Sequence, residues 1–216
     1  MIPLALGHER TPLHILCMGA HSDDIEIGCG GTILRLLGDY PGSTVSWVVF
    51  AAPGPREDEA RKSAADFLTG AVDPQVIVGN FRESYFPFVG AEVKDFFESL
   101  KQLGKPDLIF CHHRHDEHQD HRTLAQLTWN TFRDHRIFEF EIPKYEGDLG
   151  HPNAFVPLTK ALAERKIELI LRHFASQTTR RWFRRETFEG LMSIRGVECN
   201  APEGYAEAFH VRKFVL

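Results

Sequence analysis

Histidines and carboxylates are concentrated in two short stretches of the 216-residue chain. One is Ala20-His21-Ser22-Asp23-Asp24; the other runs from His112 to His121 (HHRHDEHQDH). Imidazole nitrogens and carboxylate oxygens without nearby thiolates suit zinc, and a catalytic zinc commonly takes three protein ligands and leaves one position open. His21 and Asp24 are three residues apart, which lets one turn aim both side chains the same way. His118 and His121 repeat that spacing where a helical pattern begins that runs through Leu124 and Leu127 to Phe132. A metal in a His/Asp/His set makes hydroxide available near neutral pH, and a free carboxylate beside it serves as general base. Asp23 suits that part.

Each stretch directly follows a predicted strand. His14 to Gly19, Thr44 to Ala51, Gln75 to Val78 and Asp107 to Cys111 are short apolar runs, the second rich in β-branched and aromatic residues. Between them the spacing predicts a Gly-rich turn and a helix over Thr32 to Leu37, then helices over Arg56 to Leu68 and Val89 to Leu103; Gly104-Lys105-Pro106 breaks the last. Farther on, Ile137 to Ile142 reads as a strand, Pro157 to Phe174 as a charged helix, Thr187 to Ile194 as a short helix and Ala208 to Val215 as a closing strand. Strands alternating with helices predict an α/β fold with a mostly parallel sheet covered on both faces. Ligands in such sheets bind outside the carboxyl ends of the strands, so both clusters face one mouth. No internal repeat or linker interrupts the pattern, and 1–216 reads as one domain.

The segment AHSDDIEIGCGGT, together with the later DEHQDH, resembles the paired motifs of the PIG-L/LmbE family of zinc-dependent N-deacetylases. The order of strand, first motif, Gly-rich turn, helix and second motif extends the likeness over most of residues 14 to 132, and Gly204 to Phe209 (GYAEAF) resembles a further family segment. The resemblance implies a Rossmann-like three-layer fold and hydrolysis of N-acetyl groups on amino-sugar conjugates. It implies His21, Asp24 and His121 as zinc ligands, with iron also compatible with the set, and Asp23 as general base. His118 becomes a protonated imidazole that stabilises the oxyanion or protonates the amine. Asp120 becomes the carboxylate that orients His118, and Arg56 a substrate contact. Ser22 replaces the usual proline and Ile25 a common glutamate, and neither removes a ligand or the base; the loop Gly79 to Ser84 departs from the family form, which bears on substrate rather than on reaction type.

Other features have plainer readings. His112, His113 and His115 fall outside the matched positions and read as surface or supporting residues; Asp116 matches a family carboxylate, and capping the helix that follows suits it at least as well as a catalytic part. Gly28, Gly30 and Gly31 lack the spacing of a nucleotide loop and read as close packing. Arg180, Arg181, Arg184 and Arg185, interleaved with Trp182 and Phe183, suit a solvated helix edge; the alternative is a grip on an anionic substrate group or an acidic neighbouring subunit.

A net charge of −5 argues against nucleic acid as a partner. No run approaches a membrane span, MIPLALGHER is too short and too soon charged for a signal peptide, and the four cysteines are scattered, so a cytoplasmic enzyme acting on a small molecule is expected. A homo-oligomer is left open. The competing readings are a metal-dependent phosphohydrolase and a catalytically silent carbohydrate-binding domain.

Overall fold

A computed structural model describes residues 11–215; the 1–10 segment, on which the signal-peptide reading rests, lies outside them. Five strands form a parallel array: β1 (His14–His21), β2 (Thr44–Ala51), β3 (Gln75–Val78), β4 (Leu108–His112) and β5 (Arg136–Phe140). Two more, β6 (Ala154–Leu158) and β7 (Tyr205–His210), extend it antiparallel, giving the order β3-β2-β1-β4-β5-β7-β6. The helices are α1 (Asp24–Asp39), α2 (Pro55–Phe67), α3 (Gly90–Leu100), α4 (Gln119–Thr131), α5 (Lys160–His173) and α6 (Arg185–Cys199).

Side chains along β1 alternate between two cores, as the period of a strand requires. Ile15 and Cys17 join Ile33 of α1, Phe67 of α2, Ile170 of α5 and Met192 of α6. Leu16, Met18 and Ala20 face the other way, toward Phe97 of α3 and Leu124 of α4. The result is the three-layer α/β arrangement expected from the sequence. β1 lies centrally between β2 and β4, so the chain order reverses between β1 and β4. That switch point opens a crevice at the carboxyl ends of the two strands that carry the histidine clusters.

Four expectations need correction. The Gly-rich stretch after Asp24 is the first half of α1 rather than a turn. Its glycines allow close approach: a Cβ on Gly28 would lie 2.3 Å from Phe140 Cδ2, and one on Gly31 2.6 Å from Leu158 Cδ1. Against this helix Glu207 accepts the amides of Gly31 (2.9 Å) and Thr32 (2.6 Å), and Lys166 Nζ bridges Glu207 and the Ile27 carbonyl, each at 2.6 Å. Pro157 belongs to β6 rather than to the following helix. That strand is at the sheet edge, where proline costs no ladder bond, and α5 begins after Thr159, whose hydroxyl accepts the Leu162 amide at 3.2 Å. The closing strand ends at His210, and α6 extends beyond the expected short helix at both ends, over Arg185–Cys199.

Among the described residues no helix is long and apolar enough to cross a membrane. All four cysteines are unpaired and buried.

Candidate metal centre

β1 ends at His21, and the chain turns into α1 at once, so Asp23 and Asp24 stand at the helix start above the sheet. Across the switch point, α4 begins after His118 and presents His121 in its first turn. Three ligand atoms converge. His21 Nδ1 is 3.4 Å from Asp24 Oδ2, Asp24 Oδ2 is 3.5 Å from His121 Nε2, and His121 Nε2 is 3.2 Å from His21 Nδ1. Donors bound tetrahedrally at ~2.0–2.1 Å lie roughly 3.3–3.4 Å apart, so the triangle has the dimensions of one such site.

Each imidazole is oriented from behind. His21 Nε2 faces Asp120 Oδ2 at 3.1 Å, and His121 Nδ1 faces Asp116 Oδ2 at 3.0 Å. With the N–H on those outer nitrogens, both inner nitrogens turn a lone pair to the centre of the triangle. Burial holds His121 down to about 3, helped by the charge of His112 and opposed by Asp24 and Asp116, so the ring is neutral as a ligand must be. Burial also disfavours the charged form of His21. The Asp24 charge and hydrogen bonds to Asp120 and Asp24 outweigh it and raise the pKa to about 10. A proton and a divalent cation therefore compete for Nδ1. Asp24 itself would be raised by burial; the charges of His121, His112 and His21 keep it well below the usual range.

Asp23 is differently placed. Its Oδ1 accepts a hydrogen bond from Arg56 Nη2 at 3.1 Å, and its Oδ2 is buried with no partner among the described residues. Burial, then the neighbouring Asp24 charge, lifts its pKa to about 6 against the pull of Arg56 and His21. Arg56 was expected at the substrate. Its Nε donates to Ser22 Oγ at 2.9 Å and its Nη1 to Glu83, so all three nitrogens serve the protein.

His118 caps α4: its Nδ1 accepts the Asp120 amide at 3.3 Å, which leaves the ring proton on Nε2. Burial first, then the charge of His21, lowers its pKa, the direction opposite to the protonated imidazole that the family resemblance implies. The Asp120 carboxylate also has a different partner from the one expected. It orients His21, not His118, and is itself held by the amides of Ser84 (2.6 Å) and Phe86 (3.2 Å) in the loop after β3.

One residue was read only as surface or supporting, and one was missed. His112, the last residue of β4, is fully buried and stacked on His121 with centroids 3.8 Å apart. Its Nε2 accepts the Ala20 amide at 3.0 Å and lies 3.1 Å from Asp24 Oδ2. Asp24, His112 and His121 thus form a second group with ligand spacing, as do His21, His118 and His121. In each, however, the extra histidine nitrogen is spoken for: His112 by the Ala20 amide, His118 by its own proton. The strand-end position was the available signal for His112. Lys144, 3.0 Å from Asp116 and 2.7 Å from Asp148, neutralises the carboxylate behind His121 and carried no sequence signal. His113 stacks on His210 at 3.8 Å away from the triangle, and His115 is exposed.

Residues 16–132 match the family model described as "PIG-L: GlcNAc-PI de-N-acetylase". Solved structures share the fold. The conserved protein TT1542 from Thermus thermophilus is 20% identical with TM-score 0.74, covering 94% of this chain and 96% of that one. The N,N'-diacetylchitobiose deacetylase from Pyrococcus horikoshii is 20% identical with TM-score 0.69, covering 92% and 83%. The 4-carboxy-2-hydroxymuconate hydratase from Pseudomonas putida KT2440 is 16% identical with TM-score 0.72, covering 94% and 98%. A deacetylase and a hydratase on one fold mean that the reaction has to be argued from the site.

Proposed function

The chain belongs to the PIG-L family, and from that premise we propose that it is a metal-dependent hydrolase of linear amides that removes an N-acetyl group from an amino-sugar conjugate. The observation that carries the reading is the triangle of His21, Asp24 and His121, with edges of 3.2–3.5 Å, beside the unpartnered buried oxygen of Asp23. A divalent cation held by these three residues supplies polarisation of the acetamide carbonyl and eases deprotonation of water. Zinc is the proposed ion, and the donors are compatible with iron.

The chain's own residues supply the proton movements. Asp23 Oδ2 takes a proton from the attacking water while Arg56 holds Oδ1. His118 donates its Nε2–H to the carbonyl oxygen as charge develops there. Protonated Asp23 then passes its proton to the amine nitrogen as the C–N bond breaks, giving acetate and the free amino sugar. A carboxyl near pKa 6 is suited to both steps around neutral pH. Asp120 and Asp116 position the histidine ligands, and Arg56 positions the base. We take 1–216 as one such domain, and the four unpaired thiols support a cytoplasmic setting.

The phosphohydrolase alternative predicts a two-metal site or a mostly helical domain. The tautomers of His112 and His118 argue against a second metal, and the seven-stranded sheet argues against the helical domain. The test is acetate release by the metal-loaded protein from a panel of N-acetylglucosamine conjugates. Release from any member supports the reading; a stoichiometrically loaded protein that releases none contradicts it.

A further inference from the structure

Two adjacent residues in the loop between β3 and α3 each reach a support of the candidate metal centre. Glu83 pairs with Nη1 of Arg56, whose Nη2 holds Asp23 Oδ1 at 3.1 Å. Ser84 donates its amide at 2.6 Å to Asp120 Oδ2, the oxygen that faces His21 Nε2 at 3.1 Å. One peptide bond thus joins the support of the base to the support of a metal ligand.

Ser84 has a left-handed backbone, with φ at +66°. The other described non-glycine residues in that region are Asp73 and Asn200, types that tolerate it better than serine does. Such strain persists only where the surroundings over-determine the backbone. Before Ser84, the Phe81 amide donates to the Phe50 carbonyl at 3.2 Å, and the two rings stack at 6.1 Å. After it, Phe86 is fully buried, lies 6.2 Å from the His21 ring and donates its amide to Asp120 Oδ1 at 3.2 Å. Gln119 Nε2 donates to the Ser84 carbonyl. Between the Phe81 and Phe86 anchors, Glu83 on Arg56 is the side chain that ties the turn to α2.

We infer that Glu83 and Ser84 are positioning residues that work as one clamp. Glu83 fixes Arg56, and with it both Asp23 and the strained turn; the turn holds Asp120, and through it His21. Release of Glu83 lets the Ser84 backbone relax and withdraws its amide from Asp120. Metal affinity at His21 therefore depends on a residue that touches none of the three ligands. The hold on Asp23 rests on the deacetylase reading; the hold on His21 rests on the metal centre alone.

The test is zinc affinity at fixed pH, by competition with a chromophoric chelator, in the wild type, Glu83→Ala and Glu83→Gln. Glutamine removes the charge and keeps an oxygen that accepts from Arg56; alanine removes both. Glu83→Ala should bind zinc about 3- to 10-fold more weakly, and Glu83→Gln should lie much nearer the wild type. In an Asp120→Ala background Glu83→Ala should weaken binding no further, because the route to His21 is already cut. Exchange of the Ser84 amide with solvent, followed by NMR in the metal-free proteins, should be about 10-fold faster in Glu83→Ala than in the wild type or Glu83→Gln. Wild-type affinity in Glu83→Ala, or full additivity with Asp120→Ala, would overturn the clamp. So would equal losses in the two Glu83 variants, since the Glu83 charge would then act through space. A wild type that binds no zinc contradicts the metal centre itself, and amide exchange then decides the clamp. With zinc saturating, acetate release by Glu83→Ala should show a lower kcat at unchanged KM. A loss carried by KM alone would place Glu83 on the substrate and overturn its hold on Asp23. A zinc-loaded wild type that releases no acetate contradicts the deacetylase reading, and zinc affinity and amide exchange still decide the clamp.

Discussion

His21 Nδ1 and His121 Nε2 lie 3.2 Å apart although a hundred residues separate them in the chain. The sheet order makes this meeting. β1 and β4 are adjacent and parallel, each delivers its chain to the same edge, and each is followed by a helix that starts there. Both rings then have only one nitrogen to spare, because Asp120 and Asp116 occupy the other.

Orientation by Asp120 has a measurable consequence. Asp120→Ala removes the acceptor from His21 and from the Ser84 and Phe86 amides. Metal affinity should fall about 10- to 100-fold, read by competition with a chromophoric chelator. Unchanged affinity would mean that His21 is held by its packing alone.

Asp23→Asn keeps the shape of the side chain and removes its basicity. Turnover should drop about 10²- to 10⁴-fold while metal content stays at the wild-type value. The working base is ionised, so wild-type kcat/KM should rise with pH. A pKa of about 6 sets the upper bound of that limb, and a bound cation moves it lower. An acid limb that persists at the same pH in Asp23→Asn would assign it to another group.

A buried ion pair outside the ligand triangle tests stability. Arg195 Nε and Nη2 reach Glu141 at 3.0 and 2.9 Å, and both side chains are buried. Burial opposes the charge on Glu141, but the His210 hydrogen bond and Arg195 hold its pKa below the ordinary carboxylate value. A depressed carboxyl contributes stability above its unfolded pKa and loses it as pH falls through the folded one. Glu141→Gln should therefore cost about 3 kcal/mol in urea denaturation at pH 7. The gap from wild type should narrow only below the ordinary value of 4.5. A gap constant down to strong acid would show that the charge of Glu141 contributes nothing.

Two glycines of one helix should respond oppositely to alanine. Gly28→Ala places a Cβ 2.3 Å from Phe140 and should destabilise by about 1–3 kcal/mol. Gly38 has nothing within 4 Å of a Cβ, and Gly38→Ala should stabilise by about 0.5–1 kcal/mol. Thermal denaturation of both variants checks the pair, and a shift of the same sign in both would contradict the packing described for α1.

The sequence made the strands legible where apolar runs were bounded by turns: β2 and β3 have the bounds expected from their residues. The start of α1 was hidden because Gly28, Gly30 and Gly31 look like a turn until Phe140 and Leu158 are seen against them. Pro157 misled for the opposite reason, since only a sheet edge makes it an ordinary strand residue. At the site, local spacing brought out His21, Asp24, His118 and His121. The pairing of His21 with Asp120 and of Asp116 with Lys144 was not legible, because these are contacts between distant segments. Arg56 was found, but its partners Ser22, Asp23 and Glu83 come together only when the turn into α1 and the loop after β3 meet in the fold.

The most direct test is metal content by elemental analysis of the wild type and His121→Ala after reconstitution, with acetate release followed in parallel. About one zinc or iron per chain is expected in the wild type, and loss of both metal and acetate release in His121→Ala. No stoichiometric metal in the wild type, or the same metal content in His121→Ala, would contradict the assignment of His21, Asp24 and His121 as a single metal centre.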